Sequence, residues 1–577
     1  MPNKDDEIFD LEDDSTESTI IEDDELQNEE FESANQISDS PEPLETKQNS
    51  GFKQKFKAIL KDLWQNPKKR WSLISVVCVC IMVSILFPTS RYAILNTVGV
   101  RSSASVKVLD ESTSQPLKNV NVVLAGVNAK TNEEGIAQFV KLKQGKTKLT
   151  ISKRAFSENS HEVTLGWGSN PLGDKKLKPV GLQFSFDIKD FLSEKPITKA
   201  EVVSGEYSAF SDEKGHAVLT IDETSEDEIE VSVKANSYRT ESIDQLIDNK
   251  ESKSIMMAPE KKHIFVSKRS GKYDVFKIDA DGKNEQLILS GTGNERDDMA
   301  LVSNPNKNIA ALVSTRDNTR NKDGFQLSTL TLVELNGDEV NIESITKAEK
   351  IQIIGWSGDR LVYVRIAEGD SGNNPDRQRL ISYDFETRDS KELAKSNYFN
   401  DVLMIGDDIY YAPSAALQAN PTSFYKVNSK GENQKTVFDN EVWNIYRTSY
   451  NTLMFSVKED WYEYDISNSK VLATSGAPAS QISRIYIDNS DKNKSLWIEQ
   501  RDGKGTLISY DINSKEDKTI KAQSGLTYPI IWLNSETVIY RINTVAESAD
   551  YVVNIAEGKS RKIQDVTNTD GIDRWYF

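Results

Sequence analysis

The sequence predicts a mostly β protein: a roughly seven-bladed β-propeller behind two immunoglobulin-like β-sandwiches, with one transmembrane helix and a disordered tail at the N-terminus. Three observations carry this. An uncharged apolar run, WSLISVVCVCIMVSILF, fills residues 71–87. From Ser102, apolar and polar residues alternate in short stretches broken by turn signals, a pattern that recurs 80 residues later. From Lys262 to Phe577 a longer period made of strands takes over.

Residues 1–50 hold 18 acids and 2 lysines with few apolar residues, so they cannot offset their ordering entropy and form an acidic, disordered tail. Residues 51–70 are a basic juxtamembrane segment. In residues 52–65 the apolar side chains fall on one helical face, which suits a helix lying in a headgroup layer. Lys53, Lys57, Lys61, Lys68, Lys69 and Arg70 are the expected lipid-headgroup contacts; a short docking helix for a cytosolic protein is the alternative. The anchor is expected over residues 71–95, with Trp71, Leu73, Ile74, Val76, Val77, Ile81, Val83, Ile85, Leu86 and Phe87 facing lipid. Basic residues before the run place the N-terminus in the cytoplasm and the C-terminal domains outside a cell membrane, crossed once. A cleaved signal peptide is the rival reading. Both cysteines, Cys78 and Cys80, lie in the run, so the domains beyond it can form no disulfide of their own.

Residues 102–180 carry Pro116-Leu117, Val120-Asn121-Val122, Thr131-Asn132-Glu133-Glu134-Gly135, Phe139, Leu142, Gly145 and Phe156. This resembles the carboxypeptidase-regulatory-like family of β-sandwiches. Residues 181–260 look like a divergent second copy: Pro116 matches Pro196, Gly135 matches Gly215, and Ala155-Phe156 matches Ser237-Tyr238.

In residues 262–577 each unit has a strand that ends on an aromatic or aliphatic residue followed by Asp, Asn or Glu. These strands end at Asp279, Glu334, Asp384, Asn428, Asp465, Asp511 and Asn554, a spacing near that of four-stranded blades. Trp356-Ser357-Gly358-Asp359, Trp532-Leu533-Asn534-Ser535 and Asp279-Ala280-Asp281-Gly282 resemble the repeat of TolB-like and dipeptidyl-peptidase-like propellers, a likeness that bears on fold and is nearly silent on function. The last residues are expected to close the ring on the first blade, with Ile572, Trp575 and Phe577 buried beside residues 263–267.

No catalytic, cofactor-binding or metal-binding residue is assigned. The chain has 3 histidines, His161, His216 and His263, and none is paired by spacing with another ligand. No nucleophile elbow or phosphate loop is present, and Asp488-Asn489-Ser490-Asp491 lacks what a calcium loop needs. A net charge of −19 argues against nucleic acid as a partner. The expected protein is therefore not an enzyme and uses no cofactor. It is a membrane-anchored scaffold presenting its propeller to a protein, peptide or wall-polymer ligand, with a possible cytoplasmic partner for the acidic tail. A propeller hydrolase or lyase, and signalling through the tail, are the alternatives.

Overall fold

The computed structural model describes residues 67–335, 341–418, 421–477, 486–489 and 491–569. The acidic tail, Lys53, Lys57, Lys61, and the closing residues Ile572, Trp575 and Phe577 lie outside them. The chain divides into two compact units, residues 1–87 and 88–577.

In the first unit, helix α1 spans Pro67–Leu86. All the expected anchor residues but Phe87 lie within it, and Lys68, Lys69 and Arg70 fill its first turn. Trp71, Ile74, Val76, Val77 and Phe87 are exposed, Trp71 to 67%. Among the described residues no helix is long and apolar enough to cross a membrane, so the expected transmembrane helix is not shown. The physical reason is length. The charged first turn leaves residues 71–86 as the apolar part, about 24 Å at helical rise against a hydrocarbon core of about 30 Å.

Tyr92, Ala93, Ile94 and Leu95, expected to lengthen the span, belong to a separate helix, α2 (Pro88–Thr97). Pro88 opens it at the position where a missing N–H costs nothing. The Asn96 side chain ties α2 to the first sandwich: its Nδ2 donates to the Gln144 carbonyl, and its Oδ1 accepts from the Gln144 amide, both at 2.9 Å.

Both sandwiches pair a three-stranded sheet with a four-stranded one. In the first, Ser102–Asp110 is central to the three-stranded sheet, between Ile136–Leu142 and Ser169–Leu177. Val106, Val108, Val122, Leu124, Phe139 and Leu149 fill the shared core. In the second, Leu182–Asp190 takes the central place and Phe184, Phe186, Val202, Leu219 and Val231 the core. The repeat seen in the sequence extends to individual hydrogen bonds. Thr131 Oγ1 donates to the Leu117 carbonyl and accepts from the Val120 amide; Ser211 Oγ makes the same pair with Ile197 and Ala200. Gly135 and Gly215 both have positive φ, 72° and 76°. A Cβ there would lie 2.6 Å from the Val108 carbonyl oxygen and 2.4 Å from that of Ile188. Only glycine fits.

Among the described residues seven antiparallel sheets follow, with the predicted third strands in place. Blade 1 has three strands, His263–Ser267, Asp274–Ile278 and Gln286–Leu289. Blades 2 to 7 have four each, and their innermost strands are Ala300–Ser303, Lys350–Ser357, Phe399–Ile405, Ile445–Ser449, Ile487–Asp488 and Leu526–Trp532. The repeat's tryptophan has a visible purpose. Trp356 Nε1 donates to the Val302 carbonyl at 3.2 Å, and Trp532 Nε1 to that of Ile487 at 3.0 Å. Each pins its blade to the innermost strand of the blade before, where a bare indole N–H would be costly.

Among the described residues blade 1 has no innermost strand like those of the other blades, and Thr567, after the last blade, reaches that edge. The Thr567 amide donates to the Val266 carbonyl at 2.8 Å. Next to this contact, His263 Nε2 lies 2.7 Å from Asp550 Oδ2, and Arg541 binds the same carboxylate at 2.7 and 2.9 Å. His263 and Asp550 are both fully buried. Burial pushes the Asp550 carboxyl up, but Arg541 and His263 outweigh it and hold the group down at about 2.

Candidate functional site

The innermost strands surround a central cavity of about 460 Å³. Its lining lies mainly at the end where each innermost strand turns into the next: Asn306 in blade 2, Gly358 in blade 3, Asp407 in blade 4 and Asn489 in blade 6. Much of the wall is apolar, from Val266, Leu301, Ile353, Met404 and Ile530. A compact polar group interrupts it on the side of blades 5 and 6.

Arg447 is the centre of that group and is only 4% exposed. Its guanidinium carbon stands 3.7 Å from the centre of the Tyr486 ring and 5.6 Å from that of Tyr450. Its Nη2 donates to the Tyr450 carbonyl at 3.1 Å. Burial lowers its pKa, and the nearby Asp488 charge opposes that shift. A guanidinium stays protonated under such pressure, so Arg447 is a fixed cation clamped between rings. Tyr486 stacks in turn on Trp497, at 5.0 Å.

Tyr486 and Asp488 both line the cavity beside Arg447, Asp488 from the innermost strand of blade 6 and Tyr486 from just before it. Asp488 Oδ1 and, across the cavity, Gln352 Oε1 are buried acceptors that no described protein donor reaches. A buried acceptor left so costs about 1–3 kcal/mol, and a ligand donor would recover it.

Two carboxylates nearby are spoken for. Asp407 accepts from Ser357 Oγ at 2.7 Å and from Ser429 Oγ, which joins blades 3 and 4. Asp401 accepts from its neighbour Val402 and from Ile445 of blade 5, each at 2.8 Å. Burial raises its carboxyl to about 6, against those two N–H donors.

No residue was singled out in the sequence for this cavity, and the expected ring-closure residues Ile572, Trp575 and Phe577 lie outside the described residues. His161 and His216 belong to the sandwiches, and His216 Nδ1 lies 3.0 Å from Asp187 Oδ1. Among the described residues no group of His, Cys, Asp or Glu could hold a metal ion. The first acidic turn, Asp279 and Asp281, is occupied by Arg239. Arg447 and Gln352 gave no motif, because each blade supplies one or two residues. The signal that existed was modest: an arginine in the middle of the innermost strand Ile445–Ser449.

No family model matches the chain and no curated protein does, so the carboxypeptidase-regulatory-like resemblance of the sandwiches gains no support. Solved structures of the same fold do match. TolB from Acinetobacter baumannii is 13% identical over 50% of this chain and 75% of that one, with a TM-score of 0.27. The β-propeller domain of the Trilobed protease from Pyrococcus furiosus is 14% identical over 65% and 98%, at 0.33. Pyrococcus horikoshii acylaminoacyl peptidase is 14% identical over 60% of this chain and 51% of that one, at 0.31. The expectation that this protein is not an enzyme is corrected here, since propellers of this kind occur in a protease and a peptidase. The motif search behind it tested contiguous signatures, and a site assembled from several blades leaves none. At these identities the likeness is one of fold: the chain is similar to TolB-like and peptidase-type β-propellers.

Proposed function

We propose that the central cavity is the working site and that it takes an extended polar ligand with an apolar flank, a peptide or a wall-polymer segment. One observation carries this: a fixed cation, Arg447, and two unmatched acceptors, Asp488 Oδ1 and Gln352 Oε1, share one largely apolar cavity. Carbonyl or carboxylate groups of such a ligand suit the cation, and its N–H or O–H groups suit the acceptors. Turnover by a hydrolase- or lyase-type reaction is favoured by the Tyr486–Asp488 pair, a phenol and a carboxylate that both line the cavity beside a cation. In that reading Asp488 takes a proton and Tyr486 gives one.

The position of the protein belongs to the same proposal. Helix α1, with its basic first turn and exposed apolar residues, holds the chain in a membrane locally thinned to its short apolar part, with the acidic tail on the cytoplasmic side and residues 88–577 outside. The tail is then free for a cytoplasmic partner. Incubating the full chain with peptide and cell-wall fragment libraries, then reading bound and converted species by mass spectrometry, tests the site. The expected result is retention or conversion that Asp488→Asn reduces at least about tenfold, the loss of one charged hydrogen bond. Equal retention by wild type and Asp488→Asn would reject it. Protease added to intact cells should cut beyond residue 101 and spare residues before 71; the reverse pattern rejects the orientation.

A further inference from the structure

Blade 3 carries a second concentration of charge, away from the central cavity. In neighbouring strands Arg365 and Arg379 are direct Cα partners, and Lys395 faces Arg379 from the third strand of the row. Like charges set directly opposite one another across a sheet are destabilising. Arg377 adds a third guanidinium two positions before Arg379.

The neutralising groups are few. Lys395 has its own carboxylate, Asp376, at 2.8 Å. Arg365 Nη1 donates to a neutral atom, Thr346 Oγ1, at 3.1 Å. Arg379 Nη1 has Glu392 at 3.8 Å, beyond hydrogen-bonding range. In Arg365, Arg377 and Arg379 alike, the Nε is buried with no acceptor among the described residues. The adjoining turn carries Glu368, Asp370 and Asp376; Asp376 is held by Lys395, and Asp370 Oδ1 accepts from Asn374.

Arg365 follows Tyr363, which packs in the core shared with blade 2, and its partner Thr346 lies on the outer strand of blade 2. The row therefore faces the groove between blades 2 and 3, next to the turn at residues 367–377. We propose that Arg365, Arg377 and Arg379 form an oxyanion site there, for a ligand that presents a phosphate or carboxylate group. Planar guanidinium forks match both anions in a bidentate manner, and the anion supplies the acceptors that the three Nε–H groups lack. Glu392 competes with the ligand for Arg379.

The test is calorimetric titration and thermal shift of the full chain with inorganic phosphate and with citrate, at constant ionic strength set by sodium chloride. The expected result is saturable binding of one of them, weakened about tenfold or more in Arg379→Gln and Arg365→Gln. Glu392→Gln should tighten the same binding several-fold, an effect a purely structural arginine row would not give. Arg379→Lys should fall between wild type and Arg379→Gln, because it keeps the charge and loses the fork. Stronger binding of phosphate or of citrate identifies which group the ligand bears. A thermal shift that sodium chloride reproduces, no saturable binding of either anion, or equal affinity in wild type and Glu392→Gln would overturn the proposal.

Discussion

The two sandwiches share a fold, a set of buried turn bonds and a spacing of 80 residues, yet they stand in different surroundings. Asp110 and Asp190 organise equivalent turns. Asp110 Oδ1 accepts from the Ser112 amide and hydroxyl at 2.6 Å, and Asp190 Oδ1 from the Ser193 amide at 2.7 Å and hydroxyl at 2.8 Å. In the first copy the next two residues are Glu111 and Ser112; in the second they are Phe191 and Leu192. Leu192 is 8% exposed and packs with Phe265, Phe276 and Ile278 of blade 1 and with Ile531 and Val552 of blade 7. Position Ser157 of the first copy is Arg239 in the second, and Arg239 binds Asp279 and Asp281 of blade 1. Lys559 of blade 7 reaches back to the Ser193 carbonyl at 3.2 Å. The second copy thus grips both sides of the seam where the ring closes. A few changes at one end of a sandwich have turned a spacer into a staple.

The largest effect is expected from undoing the staple. Leu192→Ser, which gives the second turn its counterpart's residue, should lower the stability of the propeller by about 3 kcal/mol through the cavity it opens. Ser112→Leu in the first copy should change denaturant unfolding by less than about 0.5 kcal/mol. Equal effects in the two copies would end the distinction.

Arg239→Ser should cost somewhat less, roughly 2–3 kcal/mol, because Asp279 is buried but keeps Lys262 as a partner. The same substitution sharpens the comparison through pH. Burial pushes the Asp281 carboxyl up, while Arg239 and the Lys283 amide overcome that and hold it below its ordinary value. A depressed carboxyl contributes stability above its unfolded value near 4 and loses it as pH falls through the lower folded value. Acid unfolding of the wild type should show this loss, and Arg239→Ser should flatten it.

Asp401 has the opposite sign. Its carboxyl is raised to about 6, so stability should fall as pH rises from about 4 to about 6. Asp401→Asn should remove that slope in melts recorded from pH 4 to 7. A small effect is expected at Tyr238, the counterpart of Phe156. Its hydroxyl donates to Asp190 Oδ2 at 3.2 Å, and Tyr238→Phe should cost about 1 kcal/mol.

Much of the architecture was legible because it is written in short, contiguous signals. Strands ending at Asp384 or Asp511 show their type within five residues, and Gly135 and Gly215 mark backbone that only glycine can follow. The seam was legible only in part. A closing strand was expected from the unpaired start of blade 1, but nothing local joins His263 to Asp550, 287 residues away. The central cavity was invisible for the same reason: Arg447, Asp488 and Gln352 converge through blade register, which spacing along the chain does not encode. The Phe191-Leu192 pair was readable, as two apolar residues in a turn whose earlier copy has Glu-Ser, but only once the two turns are aligned. The crossing by helix α1 is not shown, since the apolar run of 17 letters includes a residue beyond the helix and the helix opens on a charged first turn.

Because Thr567 reaches the edge strand of the first blade, the ring has a schedule as well as a shape. A ribosome making the chain finishes His263–Ser267 about 300 residues before the segment that lies beside it, which at about 5–20 residues per second is on the order of 15–60 s. During that interval the nascent protein carries an unpaired strand edge and a half-made aromatic core, while the second sandwich, already synthesised, waits beside them with Phe191 and Leu192. The sandwich can shelter the apolar side of blade 1 until its partner arrives, a chaperone built into the same polypeptide and translated ahead of its client.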